Sequence, residues 1–309
     1  MAKQSLAQKA SRKHHYVTAA YLAQFTNNGT KKGLLCTLDF STKKFFPAKP
    51  DDVAFEIDFN RIEVDGMAPD SLETALGRFE GQAIREIREI CKTGKLPDMK
   101  SFSYIYNLIT LFAVRNPALR NAALSSERHM SQVIMDLMTS SEEMYQTHLK
   151  RAQEGGFVRS PSPVSYKRMR DFIRRDEHTI SIPTQRHIHT EFKIFPEMLE
   201  KVAQRYWSVM NVKPGAPALI TCDRPAPTRL NAKTIVFTIS PRHALLGASE
   251  LYAPPQFEIH THHVAEINSE LLGQANNQIY SRTSQVALLR DDKIITCDLR
   301  QLFSDRSGK

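Results

Sequence analysis

The sequence DSLETALGRFEGQAIREIREI, residues 70–90, gives the clearest secondary-structure signal in the chain. Asp70 with Glu73 three residues later forms the pattern of a capping box, which marks a helix N-terminus. Behind it, apolar residues recur every three or four positions, and they are Leu72, Ala75, Leu76, Phe79, Ala83, Ile87 and Ile90. This spacing places them on one face, so the segment predicts an amphipathic helix packed against a core.

Further helices are predicted on the C-terminal side of this segment. Ser101 begins a largely buried helix that runs to about Arg115. The Asn116-Pro117 step ends it and begins another, because Asn is a good N-cap and Pro a good first helical residue. That helix continues to about Met138, and a further helical stretch reaches about Gln153.

The N-terminal side predicts a short helix and a hairpin. Residues 1–12 read as a flexible basic tail, and Val17 to Phe25 is apolar at helical spacing. Residues 33–46 alternate around the turn sequence at 40–43, which is typical of a hairpin. A short strand is expected at 61–64, before the turn that follows it.

The C-terminal half reads as mixed. Residues 155–165 form the best linker candidate, since they are rich in Gly, Ser and Pro. Beyond it, strands are predicted at 179–182, 218–222, 234–239, 257–261 and 285–289, and helices at 195–211 and 264–281. We therefore expect an α+β fold: an N-terminal hairpin and helical bundle (13–154), then a mixed region (166–309), either separate or packed with the first.

Composition is that of a folded protein. Of the 309 residues, 41% are hydrophobic and 24% charged, which argues against disorder and against fibrous or disulfide-framework classes. Cys36, Cys91, Cys222 and Cys297 form no CxxC pair, so reduced thiols are expected. No stretch has the roughly 20 apolar residues of a membrane span, and Met1 to Arg12 lacks a signal-peptide pattern. We expect a cytoplasmic protein without membrane association.

Charge is distributed unevenly within a formal net charge of +9. Residues 1–50 carry nine Lys or Arg and one acid, and residues 201–250 carry seven and two. Residues 51–100 carry seven and twelve, so an acidic segment separates the two basic ones. The basic segments either attract phosphates of a nucleic acid or nucleotide, or are solvated surface.

Arg115 and Arg120 flank the predicted helix break at Asn116-Pro117. Two guanidinium groups at a helix N-terminus are suited to an anion, so both are binding candidates. The alternative is that each pairs with a carboxylate such as Glu73 or Glu80. Two interpretations of these glutamates stay open. Either they are acid–base or metal-binding carboxylates, or Glu73 is the capping-box residue and Glu80 is a charge beside the apolar stripe.

Histidines and the ends of predicted strands supply further candidates. His14 and His15 lie in a basic segment, and histidine exchanges protons near neutral pH. Asp223 follows the apolar run 217–222, and Ser240 with Arg242 follows 235–239, so Asp223 and Arg242 would meet if these strands paired. The histidine pairs His187/His189 and His260/His262 have strand spacing, but no cysteine or carboxylate stands at ligand spacing, so no metal site is predicted.

The segment from His15 to Phe25 resembles the opening motif HYVPxFYLxxF of the bacterial domain of unknown function 4238 family. The rest of the pattern agrees in order over about residues 13–285, through Arg115 and Arg120, the 220–225 strand end, the 239–243 segment and Asn268 to Ser281. Thr18 stands in place of the usual proline, and 222–224 reads Cys-Asp-Arg in place of Ser-Asp-Asn.

The resemblance implies a bacterial or prophage-borne protein, with some relatives in antiviral (antiphage) defence, and brings no agreed reaction. Catalytic candidates are His14, His15 and Asp223, and binding candidates are Tyr16, Arg115, Arg120, Ser240, Arg242 and Asn268.

Three functions follow as hypotheses. The first is a defence effector acting on nucleic acid or a phosphate-bearing ligand, such as a nuclease, with a divalent metal left open. The second is a non-enzymatic sensor or interaction protein for a nucleotide or phage component. The third is a structural role, in which the polar residues only stabilise the fold. The cofactor and the oligomeric state stay undetermined.

Overall fold

A computed structural model of the chain describes residues 11–63, 65–158, 164–175, 179–227, 229–251 and 253–302. The helices are α1 (Ala19–Leu22), α2 (Ser71–Thr93), α3 (Met99–Val114), α4 (Pro117–Met138), α5 (Glu142–Glu154), α6 (Tyr166–Arg174), α7 (Thr184–Ala203) and α8 (Thr261–Gln274). The strands are β1 (Lys13–His15), β2 (Leu35–Asp39), β3 (Lys44–Ala48), β4 (Phe55–Ile57), β5 (Tyr206–Val212), β6 (Thr221–Cys222), β7 (Thr234–Ser240), β8 (His243–Ala248), β9 (Gln256–Ile259), β10 (Gln278–Ser281), β11 (Gln285–Arg290) and β12 (Lys293–Asp298).

The chain divides into two compact units. The first contains the described residues before Pro117 and those from Thr184 onward, and the second is the segment Pro117–Pro183. All of the strands belong to the first unit, where they form two four-stranded sheets, β3-β2-β10-β6 and β7-β8-β5-β9, and the pairs β1-β4 and β11-β12. The expected α+β class is confirmed.

Tyr21 of α1 joins the two four-stranded sheets in the core of the first unit. Its side chain is fully buried, with the ring stacked on Phe237 and in edge contact with Phe112. The hydroxyl donates to the carbonyl of Thr238 in β7 at 2.7 Å and shares a hydrogen bond with Thr221 Oγ1 of β6 at 2.8 Å. A buried tyrosine needs such partners because an unpaired hydroxyl is costly to desolvate.

Helix α2 is confirmed, but the predicted capping box is wrong. Asp70 makes no side-chain cap hydrogen bond; its Oδ2 accepts from the backbone N–H of Ser11 at 3.1 Å. Glu73 accepts from Asn60 Nδ2 at 2.7 Å instead of the N-cap backbone. Both carboxylates are therefore used by the chain that precedes the helix, which a local pattern cannot reveal.

The predicted hairpin is confirmed, since β2 pairs with β3 in antiparallel register around the turn at residues 40–43. The predicted helices 195–211 and 264–281 are correct only in their first parts, and helix α7 also begins earlier than predicted. Helix α7 ends at Ala203 and α8 at Gln274, and each is followed by a strand, β5 or β10. Each of these strands lies between two neighbours in its sheet, and those partners override the helical spacing of the apolar residues.

Two predicted strands are absent. Residues 61–63 form no strand, and residue 64 lies outside the described residues; the strand of this region is β4, paired with β1. Residues 179–182 are likewise not a strand, since this segment has no paired neighbour and precedes helix α7. The histidines predicted at strand spacing also belong to helices: His187 and His189 lie in α7, and His260 is the N-cap of α8.

The second unit consists of α4, α5 and α6. The rings of Tyr145 on α5 and Tyr166 on α6 pack at a centroid distance of 6.0 Å. Of the predicted linker 155–165, residues 159–163 lie outside the described residues, and the remainder belongs to this unit. Within the described ranges, no helix combines the length and the apolar character that crossing a membrane requires. The four cysteines, all of them described, form no disulfide.

Candidate functional site

Arg115, at the C-terminal end of α3, is buried beside α2. Its side chain is 3% exposed, and its Nη2 donates to Glu80 Oε1 at 2.9 Å and to the His15 carbonyl at 3.3 Å. The predicted pairing with Glu80 is confirmed. Its Nε and Nη1 are also buried, and neither has a hydrogen-bond partner among the described residues. One buried guanidinium thus keeps two of its nitrogens unpaired.

Glu80 and Glu73 lie on the same side of α2, as their seven-residue separation predicts. Burial raises the pKa of Glu80, and the charge of Arg115 opposes this rise. Glu73 accepts a hydrogen bond from the side-chain amide of Asn60. The two carboxylates therefore differ: one is buried against a cation, and the other is bound by a neutral amide.

Unpaired buried atoms gather around these glutamates. Of the eight buried side-chain nitrogen and oxygen atoms that lack a partner in the described part of the chain, four are His15 Nε2, Asn60 Oδ1 and the two Arg115 nitrogens. Such atoms are rare in proteins because desolvating them costs free energy, and a cluster indicates a place that water or a ligand completes. We call His15, Asn60, Glu73, Glu80 and Arg115 the Arg115 site.

The two adjacent histidines have different surroundings. His14 is fully buried in β1; its Nδ1 accepts from the Asn60 N–H at 2.8 Å, and its Nε2 is 2.9 Å from the Ser11 carbonyl. Both of its ring nitrogens are used by the backbone. His15 is half-buried, and burial lowers its pKa, so it is neutral near pH 7 with Nε2 unpaired. Of the two, His15 has the nitrogen that can meet a ligand.

A half-open pocket adjoins Arg115 in the first unit. Its wall consists of Leu72, Leu76, Leu111, Val114, Arg115, Glu191, Phe192 and Phe195. In this conformation only about 10 Å³ is open to water, roughly the room that one molecule needs. Phe192, one of the lining side chains, is 52% exposed.

Tyr16 and Asp223 lie close enough to interact electrostatically. Tyr16 packs against Phe59 at a centroid distance of 5.9 Å, and its pKa is raised first by burial and then by the charge of Asp223. Asp223 is 3% exposed and accepts from the backbone N–H groups of residues 276, 277 and 278 at 2.7–3.0 Å. Its carboxylate therefore organises the turn before β10.

The other predicted binding residues of the first unit hold backbone in place. Arg242 donates to the carbonyls of residues 216, 213 and 212. Asn268 bonds to Ile220 N–H and to the carbonyls of Ala218 and Ala287. Ser240 accepts from the Arg242 N–H and pairs with His243 Nδ1. These contacts favour structural roles, while the predicted binding roles stay predictions.

The expected meeting of Asp223 and Arg242 depended on strand pairing, and β6 and β7 lie in different sheets. Arg120 lies on α4 and belongs to the second unit, whereas Arg115 belongs to the first. The described residues contain no group of three or more His, Cys, Asp or Glu placed to hold a metal ion.

Sequence reasoning missed Asn60 and the pocket aromatic Phe192. Asn60 follows a single phenylalanine and belongs to no periodic pattern, so its role appears only when β1 brings His14 to it from 46 positions away. Phe192 is one of several apolar residues of α7, and its exposure distinguishes it from the others only in the folded chain. No local signal identifies either residue.

The fold and the site thus define an α+β protein whose larger unit contains a buried, incompletely paired polar cluster. Residues 13–285 match the family described as "Protein of unknown function (DUF4238)". The chain belongs to this family. Comparison with the curated proteins and with the solved structures gives no match.

Proposed function

We propose that the protein is a sensor that binds a small phosphate-bearing ligand, such as a nucleotide, at Arg115. The observation that carries this proposal is the buried Arg115 side chain, which lines a half-open pocket and has two guanidinium nitrogens without a partner among the described residues. Phosphate oxygens accept strong charge-assisted hydrogen bonds from arginine. The ligand would therefore supply acceptors for groups that are otherwise desolvated without a partner.

The pocket wall suits the rest of such a molecule. Six of its eight lining residues are apolar, and Phe192 and Phe195 offer aromatic surface to a base. His15, whose carbonyl accepts from Arg115 Nη2, and Asn60, which donates to Glu73, each have a further buried atom, Nε2 and Oδ1, without a partner among the described residues. Glu80 balances the charge of Arg115, so recognition depends on hydrogen bonds as much as on net charge.

A binding role fits the candidate residues better than phosphodiester hydrolysis does. Both ring nitrogens of His14 are engaged, and the Asp223 carboxylate accepts three backbone N–H groups, so neither is positioned as a general acid or base. The nuclease hypothesis depends on His15 alone among the catalytic candidates. Antiviral defence remains the biological setting that the family resemblance implies.

The test is binding of ATP, ADP, cyclic dinucleotides and inorganic phosphate to the full chain. Binding is measured by calorimetry and by the rise in melting temperature. Arg115→Lys keeps a cation beside Glu80 but removes the additional N–H groups, and we expect at least a tenfold loss of affinity. Arg242→Lys is the matched control, because Arg242 holds backbone carbonyls away from the pocket wall. It should lower the melting temperature and leave affinity unchanged.

The proposal fails if no phosphate-bearing probe binds the wild type, or if Arg115→Lys binds as tightly as Arg242→Lys does. Incubation with single- and double-stranded DNA and RNA, with Mg²⁺, Mn²⁺ or EDTA, tests the nuclease alternative. Cleavage that is lost in His15→Ala would favour hydrolysis over sensing. Phage plating with Arg115→Lys and Arg242→Lys then tests the defence setting.

A further inference from the structure

Helix α6 of the second unit concentrates positive charge on a short segment. Between Ser165 and Arg175, five of eleven residues are Lys or Arg and one is acidic. Lys167, Arg168 and Arg174 are exposed, and their side chains form no ion pair with other described residues. These three cations are therefore available to a partner in solution.

The charged side of α6 borders an open groove of about 490 Å³. Its lining consists of Ser165, Lys167, Arg168, Asp171, Phe172 and Arg175. Asp171 is the single carboxylate among three cationic side chains, and Phe172 is an aromatic side chain that is 41% exposed. Cations interleaved with a partly exposed aromatic ring form the kind of surface on which single-stranded nucleic acids are held, by backbone charge and base stacking.

The apolar side of α6 is largely buried. Ile173 is 5% exposed, Met169 is half-buried, and the Tyr166 ring packs against Tyr145 of α5. Arg170 lies over the Tyr166 ring, 5.6 Å from its centre. An amphipathic helix that binds a bilayer must insert its apolar face, and this face is already used. The surface that remains fits a nucleic-acid backbone better than a membrane.

We propose that α6 is a nucleic-acid contact, at which Lys167, Arg168 and Arg174 bind phosphates of a single strand and Phe172 stacks on a base. Single strands are favoured over duplex because an unpaired base has a free face for the ring. This contact lies in the second unit and does not depend on the Arg115 site.

The test is fluorescence anisotropy of the full chain with a labelled single-stranded oligonucleotide and its duplex, over a salt series. The variant Lys167→Gln/Arg168→Gln/Arg174→Gln removes three charges, so we expect at least a tenfold loss of affinity and a shallower salt dependence. The slope of log K against log salt should fall by about 2, since each phosphate contact on a single strand contributes about 0.7.

The control variant is Arg85→Gln/Lys92→Gln/Lys201→Gln, which removes the same charge from helices α2 and α7 of the first unit. It should bind within about twofold of the wild type, because these cations are not part of the proposed contact. An effect of net charge alone would weaken both triple variants equally. Phe172→Ala keeps every cation and should weaken single-strand binding about five- to tenfold while changing duplex binding less.

Three outcomes would overturn the proposal: no oligonucleotide binding by the wild type, equal losses in the two triple variants, or binding to vesicles of phosphatidylcholine and phosphatidylserine (about 3:1) instead of oligonucleotides. Should the α6 triple variant melt well below the wild type, Phe172→Ala and the single variant Arg168→Gln decide the question. Arg115→Lys should bind oligonucleotides normally, which keeps the two proposals separable.

Discussion

Arg115 and Glu80 form a buried ion pair, with 2.9 Å between Nη2 and Oε1, which joins the end of α3 to the middle of α2. Both residues are less than one-tenth exposed. Burial raises the pKa of Glu80 while the guanidinium lowers it, so the pair is held together against a desolvation cost.

The first prediction concerns this pair. Arg115→Met leaves a buried carboxylate without its cation and should lower the free energy of unfolding by about 3–5 kcal/mol. Glu80→Gln/Arg115→Met removes both charges and should cost much less than the single change. Urea denaturation of the full chain measures both. Equal losses in the single and double variants would show that the pairing itself is unimportant.

The second prediction concerns pH and Asp223. Burial raises the pKa of this carboxyl group to about 6, although three backbone N–H groups oppose the rise. An aspartate in the unfolded chain has a pKa of about 3.9, so the folded state holds the proton more tightly. The resulting stabilisation is complete below about pH 4 and is lost as the pH rises through about 6.

At about 1.4 kcal/mol per pKa unit, the full change is on the order of 3 kcal/mol. It is measured as the difference in unfolding free energy between the wild type and Asp223→Asn from pH 4 to pH 7. Because the amide does not titrate, the wild type should lose stability relative to the variant over this range. If the stability of the wild type relative to Asp223→Asn stayed constant or increased with pH, the assignment would be contradicted.

The sequence predicts elements well where the signal is local. Helix α2 follows from its apolar periodicity, the boundary between α3 and α4 from Asn116-Pro117, and the β2-β3 hairpin from its turn. The prediction from the sequence is wrong at β5, because Tyr206 and Val209 also fit the spacing of a helix. Neighbours at 243–248 and 256–259 make this segment a strand, and such distant partners leave no local mark.

The same distinction applies to the site. The proximity of Arg115 to Glu80 could be proposed because each residue stands out in its own helix. The hydrogen bond from Asn60 to Glu73, and the one from the Asn60 N–H to His14, could not, because both depend on where β1 and β4 carry the chain. Residue type predicts which interactions a side chain can make. The fold decides whether its polar atoms are already hydrogen-bonded within the protein.

The third prediction separates structure from chemistry at His14. His14→Ala leaves the Asn60 N–H and the Ser11 carbonyl unpaired and opens a cavity, so it should lower the free energy of unfolding by about 2–4 kcal/mol. The exposed His189→Ala is the control and should stay within about 0.5 kcal/mol of the wild type. A stable His14→Ala protein would reopen a catalytic role for this residue.

The fourth prediction tests the link between the two four-stranded sheets. Tyr21→Phe keeps the buried ring but removes the hydroxyl that contacts Thr221 and Thr238, leaving those groups short of a partner. We expect a loss of about 1–3 kcal/mol in thermal or urea unfolding. Tyr206→Phe, at a position that is 52% exposed, removes a hydroxyl in contact with water and should change stability by less than about 0.5 kcal/mol. If both variants were neutral, the core of the first unit would depend on ring packing alone, and the hydroxyl would not hold the sheets together.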